Sequence, residues 1–151
     1  MKAAYRKACV GDAALLVHIY DLSFCADYLK YGECPGYGRS KAEMEDSILR
    51  YPKHIILCGG EPVGCVSYKE TEPNVYEIGC LCVIPEFQGS SLGTQAIEFV
   101  KTLCGDWKKL TLVTPADKTE NIKFYTEKCG FCVMSTETDG NVELARLALE
   151  R

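Results

Sequence analysis

Val83-Ile84-Pro85-Glu86-Phe87-Gln88-Gly89-Ser90-Ser91-Leu92-Gly93-Thr94 joins a strand pattern to a helix pattern. Upstream, residues 75–83 alternate as a strand does and end on Leu81-Cys82-Val83. Downstream, Leu92, Ala96, Phe99, Val100 and Leu103 keep helical spacing. A hydroxyl-rich, glycine-bearing turn at such a junction aims several backbone N–H groups along a helix axis. First-turn amides have no partner inside the helix and the dipole favours an anion there, so the geometry suits phosphate. By spacing alone a tight connection with no ligand explains the glycines equally well. The Lys-Ser or Lys-Thr pair of a P-loop is absent, and so is Gly-x-Gly-x-x-Gly.

Outward from this turn the chain has no repeat, low-complexity tract or linker. A short strand is expected at 3–8. A helix then opens at Gly11-Asp12 with the stripe Leu15, Leu16, Ile19 and Leu22. Residues 24–39, dense in Tyr, Gly and Cys, read as irregular. Ser40-Lys-Ala-Glu43 is a capping box for a second helix that Pro52 stops. Strands at 54–58 and 63–70 flank the turn Gly59-Gly60-Glu61-Pro62. After the central helix come a strand at 109–114, a short helix over 121–129 with Gly130 beyond its end, and a hairpin of 131–137 and 142–149 about Asp139-Gly140. The order β-α-α-β-β-β-α-β-α-β-β predicts one α/β (mixed α+β) domain over 1–151, with a mixed twisted sheet of about seven strands and helices on both faces.

The chain of 151 residues is long enough for a substantial core. With 47% hydrophobic and 25% charged residues it reads as globular rather than disordered. The net charge of −4 argues against a nucleic-acid or anionic-membrane surface. No apolar run reaches the roughly 20 residues that span a bilayer, and the first residues lack a signal-peptide core, so a cytoplasmic protein is expected. Ten cysteines are then expected to be reduced, and Cys58, Cys65, Cys80, Cys82 and Cys104 stand where small apolar residues would. Cys129 and Cys132 have redox-motif spacing but straddle a helix end and a strand start. One such pair with His18 and His54 is poor material for zinc, and no metal is expected.

Two segments carry a resemblance. Gln88-Gly-Ser-Ser-Leu-Gly93, after a strand, resembles the acetyl-CoA signature of the GNAT family of N-acetyltransferases, Gln/Arg-x-x-Gly-x-Gly/Ala. Asn121-Ile-Lys-Phe124-Tyr125-Thr-Glu-Lys-Cys-Gly130-Phe131 resembles the family's Asn-x-x-x-Phe-Tyr-x-x-x-Gly-Phe segment. They come in the family's order, and the inferred elements match its fold from end to end. The chain departs at Ser91, where the family usually has its central Gly; a Cβ there either crowds the pyrophosphate or brings a hydroxyl donor, as Ser90 does.

The resemblance implies an acetyl-CoA-dependent N-acetyltransferase acting by direct transfer. It places the pyrophosphate on Gln88, Gly89, Ser90, Ser91, Leu92, Gly93 and Thr94, and the pantetheine arm along the backbone of Leu81, Cys82 and Val83, as an added strand would lie. That strand must then part from 109–114 to leave amides free. Asn121 is a cofactor contact by its side-chain amide or, alternatively, a helix cap; Phe124 beside it packs rather than reacts. Amide formation needs a neutral amine and a proton for the departing thiolate. Glu77 stands at the family's general-base position, partly desolvated by Ile78, Gly79 and Leu81, or is an ordinary strand carboxylate. Tyr125 matches the tyrosine that protonates the leaving thiolate, or is a core aromatic.

The acceptor side is expected at the end of the first helix and in the following loop, from Tyr28, Tyr31, Glu33 and Tyr37. Aromatics with carboxylates suit a cationic small-molecule or peptide amine, though a solvated loop explains them too. A homodimer is compatible with the family. A non-catalytic acyl-CoA-binding or sensing module on the same fold is the alternative from another class.

Overall fold

Local chemistry sets most of the element ends. The computed structural model describes residues 1–151. The Ser40 hydroxyl accepts from Glu43 N at 3.0 Å while the Glu43 carboxylate accepts from Ser40 N at 2.9 Å, which starts helix α2 (Lys41–Arg50). Tyr51 is extended ahead of Pro52, and α2 stops there. Gly59 and Gly60 both have positive φ (59° and 80°), so strands β2 (Lys53–Cys58) and β3 (Glu61–Glu72) meet in a two-residue turn. Glu61 and Pro62, expected in that turn, already pair with Cys58 and Leu57.

Helix α1 (Ala13–Tyr31) is longer than expected and absorbs 24–31, which had read as irregular. No Pro or Gly interrupts that stretch, and Gly32, left-handed at φ 74°, gives the stop, its N–H donating to the Tyr28 carbonyl. The buried stripe is Ala13, Leu16, Ile19 and Tyr20, whereas Leu22 is 42% exposed. Helix α3 (Leu92–Leu103) follows the turn. The last helix begins earlier than expected, as α4 (Thr119–Lys123), and widens into a π turn over Phe124–Lys128.

The sheet has seven strands in the order β1-β2-β3-β4-β5-β7-β6. Here β1 is Ala3–Lys7, β4 Val75–Val83, β5 Lys109–Pro115, β6 Cys132–Asp139 and β7 Val142–Glu150. The β4–β5 pair is parallel, with α3 as the crossover that parallel strands require. The pairs β1–β2, β2–β3, β5–β7 and β6–β7 are antiparallel, so the sheet is mixed.

The chain divides into two compact units, and β3, β4 and α3 each have residues in both. The first, Met1–Tyr68 with Cys80–Ala96, buries Leu16, Ile19, Met44, Ile55, Ile56, Val63, Val66 and Leu92. The second, Lys69–Gly79 with Ile97–Arg151, buries Ile97, Val100, Leu110, Leu112, Phe131 and Leu147. In it Trp107 is covered by Lys101 and Arg151, at 5.8 and 5.1 Å from its ring. No helix is long and apolar enough to cross a membrane.

Candidate active site

In the first unit, β4 ends on Leu81, Cys82 and Val83; Cys82 is buried and its two neighbours half-buried. A Cβ on Gly64 of β3 would collide with the Cys82 carbonyl, so the backbones approach here as only glycine allows. A 3₁₀ turn, Pro85–Phe87, follows. The Gln88 amide nitrogen donates to the Val83 carbonyl at 2.9 Å and closes the loop back on the strand end. The Ser90 hydroxyl donates to the Phe87 carbonyl, so its proton is already committed inside the turn.

The backbone of this turn is the informative part. Gly89 has φ 79° and Ser91 φ 65°, both left-handed. Ser91 thus holds the conformation glycine favours, at the position where the resemblance had glycine. It is held in place through Gln95, whose N–H donates to the Ser91 carbonyl at 3.1 Å and whose amide donates to the Ser91 hydroxyl at 3.1 Å. Gln95 also accepts from Ala3 N at 2.8 Å and donates to the Met1 carbonyl at 2.7 Å, tying the turn to β1. Gln95 makes the first bond of the helical ladder. The amides of Leu92, Gly93 and Thr94 precede it, in the first turn where an anion is favoured.

In the second unit, β4 pairs with β5 through Val75–Lys109, Tyr76–Leu110 and Glu77–Thr111 only. Ile78 and Gly79 continue β4 beyond the end of that ladder, while β5 goes on pairing with β7 as far as Pro115–Leu144. Glu77 is the last paired residue and is half-buried. Asn121 lies inside α4 rather than at its cap, and its amide donates to the hydroxyl of Thr114, a buried polar residue of β5 missed from sequence, at 3.2 Å. Tyr125 is 8% exposed and sits edge-on between Phe124 and Phe131, at 5.0 and 5.7 Å. The Phe131 N–H donates to the Tyr125 carbonyl at 3.0 Å, with Gly130 left-handed (φ 81°) between them.

The acceptor candidates are only partly gathered. Tyr28 and Tyr37 stack at 4.5 Å, while Tyr31 ends α1 with Lys30 over its ring at 5.1 Å, and Glu33 lies in the loop beyond. That loop is fastened to α1: Gly38 N–H donates to Asp21 at 2.9 Å, and a Cβ on Gly36 would stand 2.6 Å from the Phe24 ring. Sequence reading also missed Lys53, which looks like a strand-start charge yet is buried against the Tyr20 hydroxyl at 3.4 Å.

The sequence model of the Acetyltransferase (GNAT) family matches residues 18–131, three quarters of the chain. The chain belongs to the GNAT acetyltransferase family. No curated protein matches its sequence. Among solved structures, this GNAT chain is similar to an acetyltransferase from Thermus thermophilus (19% identity, 100% of this chain and 98% of that one, TM-score 0.80). It is similar to the PaiA N-acetyltransferase of Thermoplasma acidophilum in complex with coenzyme A (19%, 97% and 98%, TM-score 0.78). A third likeness is to the aminoglycoside acetyltransferase AAC(6')-Ib, also with coenzyme A (20%, 99% and 95%, TM-score 0.77). At these identities the likenesses establish the fold.

Proposed function

We propose that this GNAT acetyltransferase moves the acetyl group of acetyl-CoA to a primary amine by direct transfer in a ternary complex. The observation that carries the reading is the paired left-handed backbone at Gly89 and Ser91, leading into the first-turn amides of α3. Successive N–H groups in such a turn form an anion-binding concavity suited to a pyrophosphate. The early end of the β4–β5 ladder supports the pantetheine arm lying along Leu81, Cys82 and Val83, because a strand that parts from its neighbour has amides and carbonyls to offer. Coenzyme A in two of the similar structures agrees with this assignment.

In the reaction, Glu77 takes the proton of the attacking ammonium, directly or through water. The neutral amine attacks the thioester carbonyl, Tyr125 gives its phenolic proton to the departing thiolate, a group of comparable basicity, and the proton that the nitrogen sheds as the amide forms returns to the tyrosinate. Asn121, oriented by Thr114, and Phe124 complete the cofactor contacts. Tyr28, Tyr31, Glu33 and Tyr37 receive the acceptor, a small-molecule amine such as an aminoglycoside-like compound or a peptide amine. Residues 1–151 act as one N-acetyltransferase domain, and its ten free cysteines support a cytoplasmic setting. A homodimer is proposed through β6, the strand at the sheet's edge, all of whose residues are exposed.

The test is a thermal shift with acetyl-CoA, followed by thiol release over a panel of amines. A rise in melting temperature and release with at least one amine are expected. Absence of any shift at millimolar cofactor sinks the proposal, and a shift without release on any amine turns it into a non-catalytic acyl-CoA-binding module.

A further inference from the structure

The first unit buries a cation that its own fold does not pair. Lys53 opens β2 and is 3% exposed; Ser67, directly opposite it on β3, is also 3% exposed. Opposite residues of an antiparallel ladder project from one face of the sheet, about 4.5–5.5 Å apart at Cβ. Cys65 shares that face two residues along β3, and its sulfur lies 3.8 Å from the Tyr20 hydroxyl, so the face looks onto α1. Lys53 Nζ makes one hydrogen bond, a long one of 3.4 Å to the same hydroxyl. Arg39, half-buried just before α2, lies over the Tyr20 ring at 5.4 Å. Its Nε donates to the Pro35 carbonyl at 2.9 Å and a terminal nitrogen to Ser47 Oγ at 3.2 Å. A guanidinium has donors beyond those two.

Charge and hydrogen bonding are both left unbalanced on this face. Neither Lys53 nor Arg39 has a carboxylate at ion-pair distance. The rings of Tyr20 and Tyr51, 5.7 and 5.9 Å from Lys53 Nζ, offset only part of the cost of burying an ammonium. Burial pulls Lys53 below the ordinary ammonium range. It also pushes the Cys65 thiol up to about 12, so that neighbour supplies no negative charge. The Ser67 hydroxyl has no hydrogen-bond partner within the chain and is not sealed from solvent. Buried polar groups are ordinarily satisfied, and here an ammonium and a hydroxyl side by side are not.

We propose that Lys53, Ser67 and Arg39 form a subsite for an acidic group, a carboxylate or a phosphate, carried by the amine acceptor. The inference deepens the proposed function and rests on it for the reaction. Lys and Arg only donate, and a serine hydroxyl can donate, so the three suit an anion. Position separates the subsite from the cofactor's own phosphates. Val63 accepts from the Ile84 N–H at 2.9 Å at the foot of the 84–94 turn, and Ser67 stands four residues further along β3, about 13 Å away. Because Ile84 meets Val63 and Cys82 meets Gly64, the run from Val83 to Leu81 heads toward Ser67. A pantetheine arm laid there brings its reactive end toward the subsite and away from the turn. Arg39 also follows Tyr37 by two residues, which joins the subsite to the acceptor loop. An acceptor with both an amine and an acid matches this layout, whereas a polycation meets like charge at Lys53 and Arg39.

The experiment measures thiol release by the full chain with glycine, leucine and phenylalanine, each against its carboxamide, and with O-phosphoethanolamine against ethanolamine. In at least one pair the acid should exceed its neutral counterpart in kcat/KM by about tenfold or more, the worth of a hydrogen bond to a charged group. Which pair shows it tells carboxylate from phosphate. Lys53→Met and Ser67→Ala should each bring that ratio toward one through a higher KM for the acid, and Lys53→Arg should keep most of it. Equal turnover of acids and neutral partners overturns the proposal, as does spermidine outrunning every acid, or an acid preference that survives Lys53→Met. A second measurement needs neither turnover nor a variant: the melting temperature of the parent chain with millimolar N-acetylglycine, N-acetylleucine and N-acetylphenylalanine against their amides. Stabilisation by an acid and not by its amide is expected. If no amine releases thiol, the acetyltransferase reading falls, and the acid-selective shift decides the subsite alone: present, it stands as an anion site; absent, it is gone.

Discussion

The turn over 84–94 and the segment over 121–131 carry the family resemblance in opposite ways. The turn departs in residue and keeps its backbone: Ser91 stands in a glycine's place and still takes φ 65°. The later segment keeps the residue types, but Phe124 and Tyr125 stand one position nearer Asn121 and one further from Gly130 than in the family's pattern, and its backbone leaves the ordinary helix for a π turn over Phe124–Lys128. What each segment specifies is a backbone path, and the letters are one way of producing it. A π turn lets the chain present Tyr125 between Phe124 and Phe131 while Gly130 turns it into β6.

If chemistry sits in side chains of the second unit and cofactor grip in the backbone of the first, substitutions should separate the two. The largest effect is expected at Glu77→Gln and Tyr125→Phe, each lowering kcat by about 10²–10⁴-fold while the acetyl-CoA thermal shift persists. Steady-state thiol release measures this, and unchanged rates in both variants would remove the assigned roles. Next is Gly89→Ala, which forces a Cβ into the left-handed region. It should destabilise by about 1–2 kcal/mol and weaken acetyl-CoA in a binding titration, with kcat at saturation much less affected.

Ser91→Gly should have the opposite sign. Relief of the left-handed strain, offset by loss of the hydroxyl to Gln95, leaves a gain of up to about 1 kcal/mol, or about 2–4 °C in Tm. A fall in Tm would show that the Gln95 bond outweighs the strain. The smallest effect lies outside both segments, at Asp12. Its carboxylate accepts from Arg6 at 3.0 and 3.1 Å and from Cys9 N at 2.9 Å, and the Arg6 hydrogen bonds first, then Cys9, hold it below the usual range. A depressed carboxylate contributes stability above its unfolded value near 4 and loses it as pH falls through the folded one. Acid unfolding of Asp12→Asn should therefore lack a small component below about pH 4 that the parent protein shows.

Much of the fold was legible because punctuation residues mark it. Ser40 and Glu43 announce α2, Pro52 ends it, and Gly59-Gly60 turns the first hairpin; the second turns at Gly140-Asn141, one residue later than expected, because Asp139 already pairs with Val142. The misreading of 24–31 came from composition: Tyr and Cys looked like loop material, but helix continuity needs only the absence of a breaker until Gly32. The turn was visible from its glycines, and the left-handed Ser91 was not, since no local signal marks a serine that must take φ > 0. Thr114 and Lys53 were hidden for another reason. Their burial is decided by partners on other elements, Asn121 on α4 and Tyr20 on α1.

The close approach at Gly64 has a practical consequence for anyone interpreting variation in this chain. Position 64 belongs to no motif and bears no functional group. Yet any side chain there must displace the carbonyl of Cys82, near the end of β4. In a saturation screen it should therefore score with the turn at 84–94 and not with its own strand, with alanine already close to the worst tolerated residue. A clinical or evolutionary filter keyed to motif letters would pass such a variant as neutral.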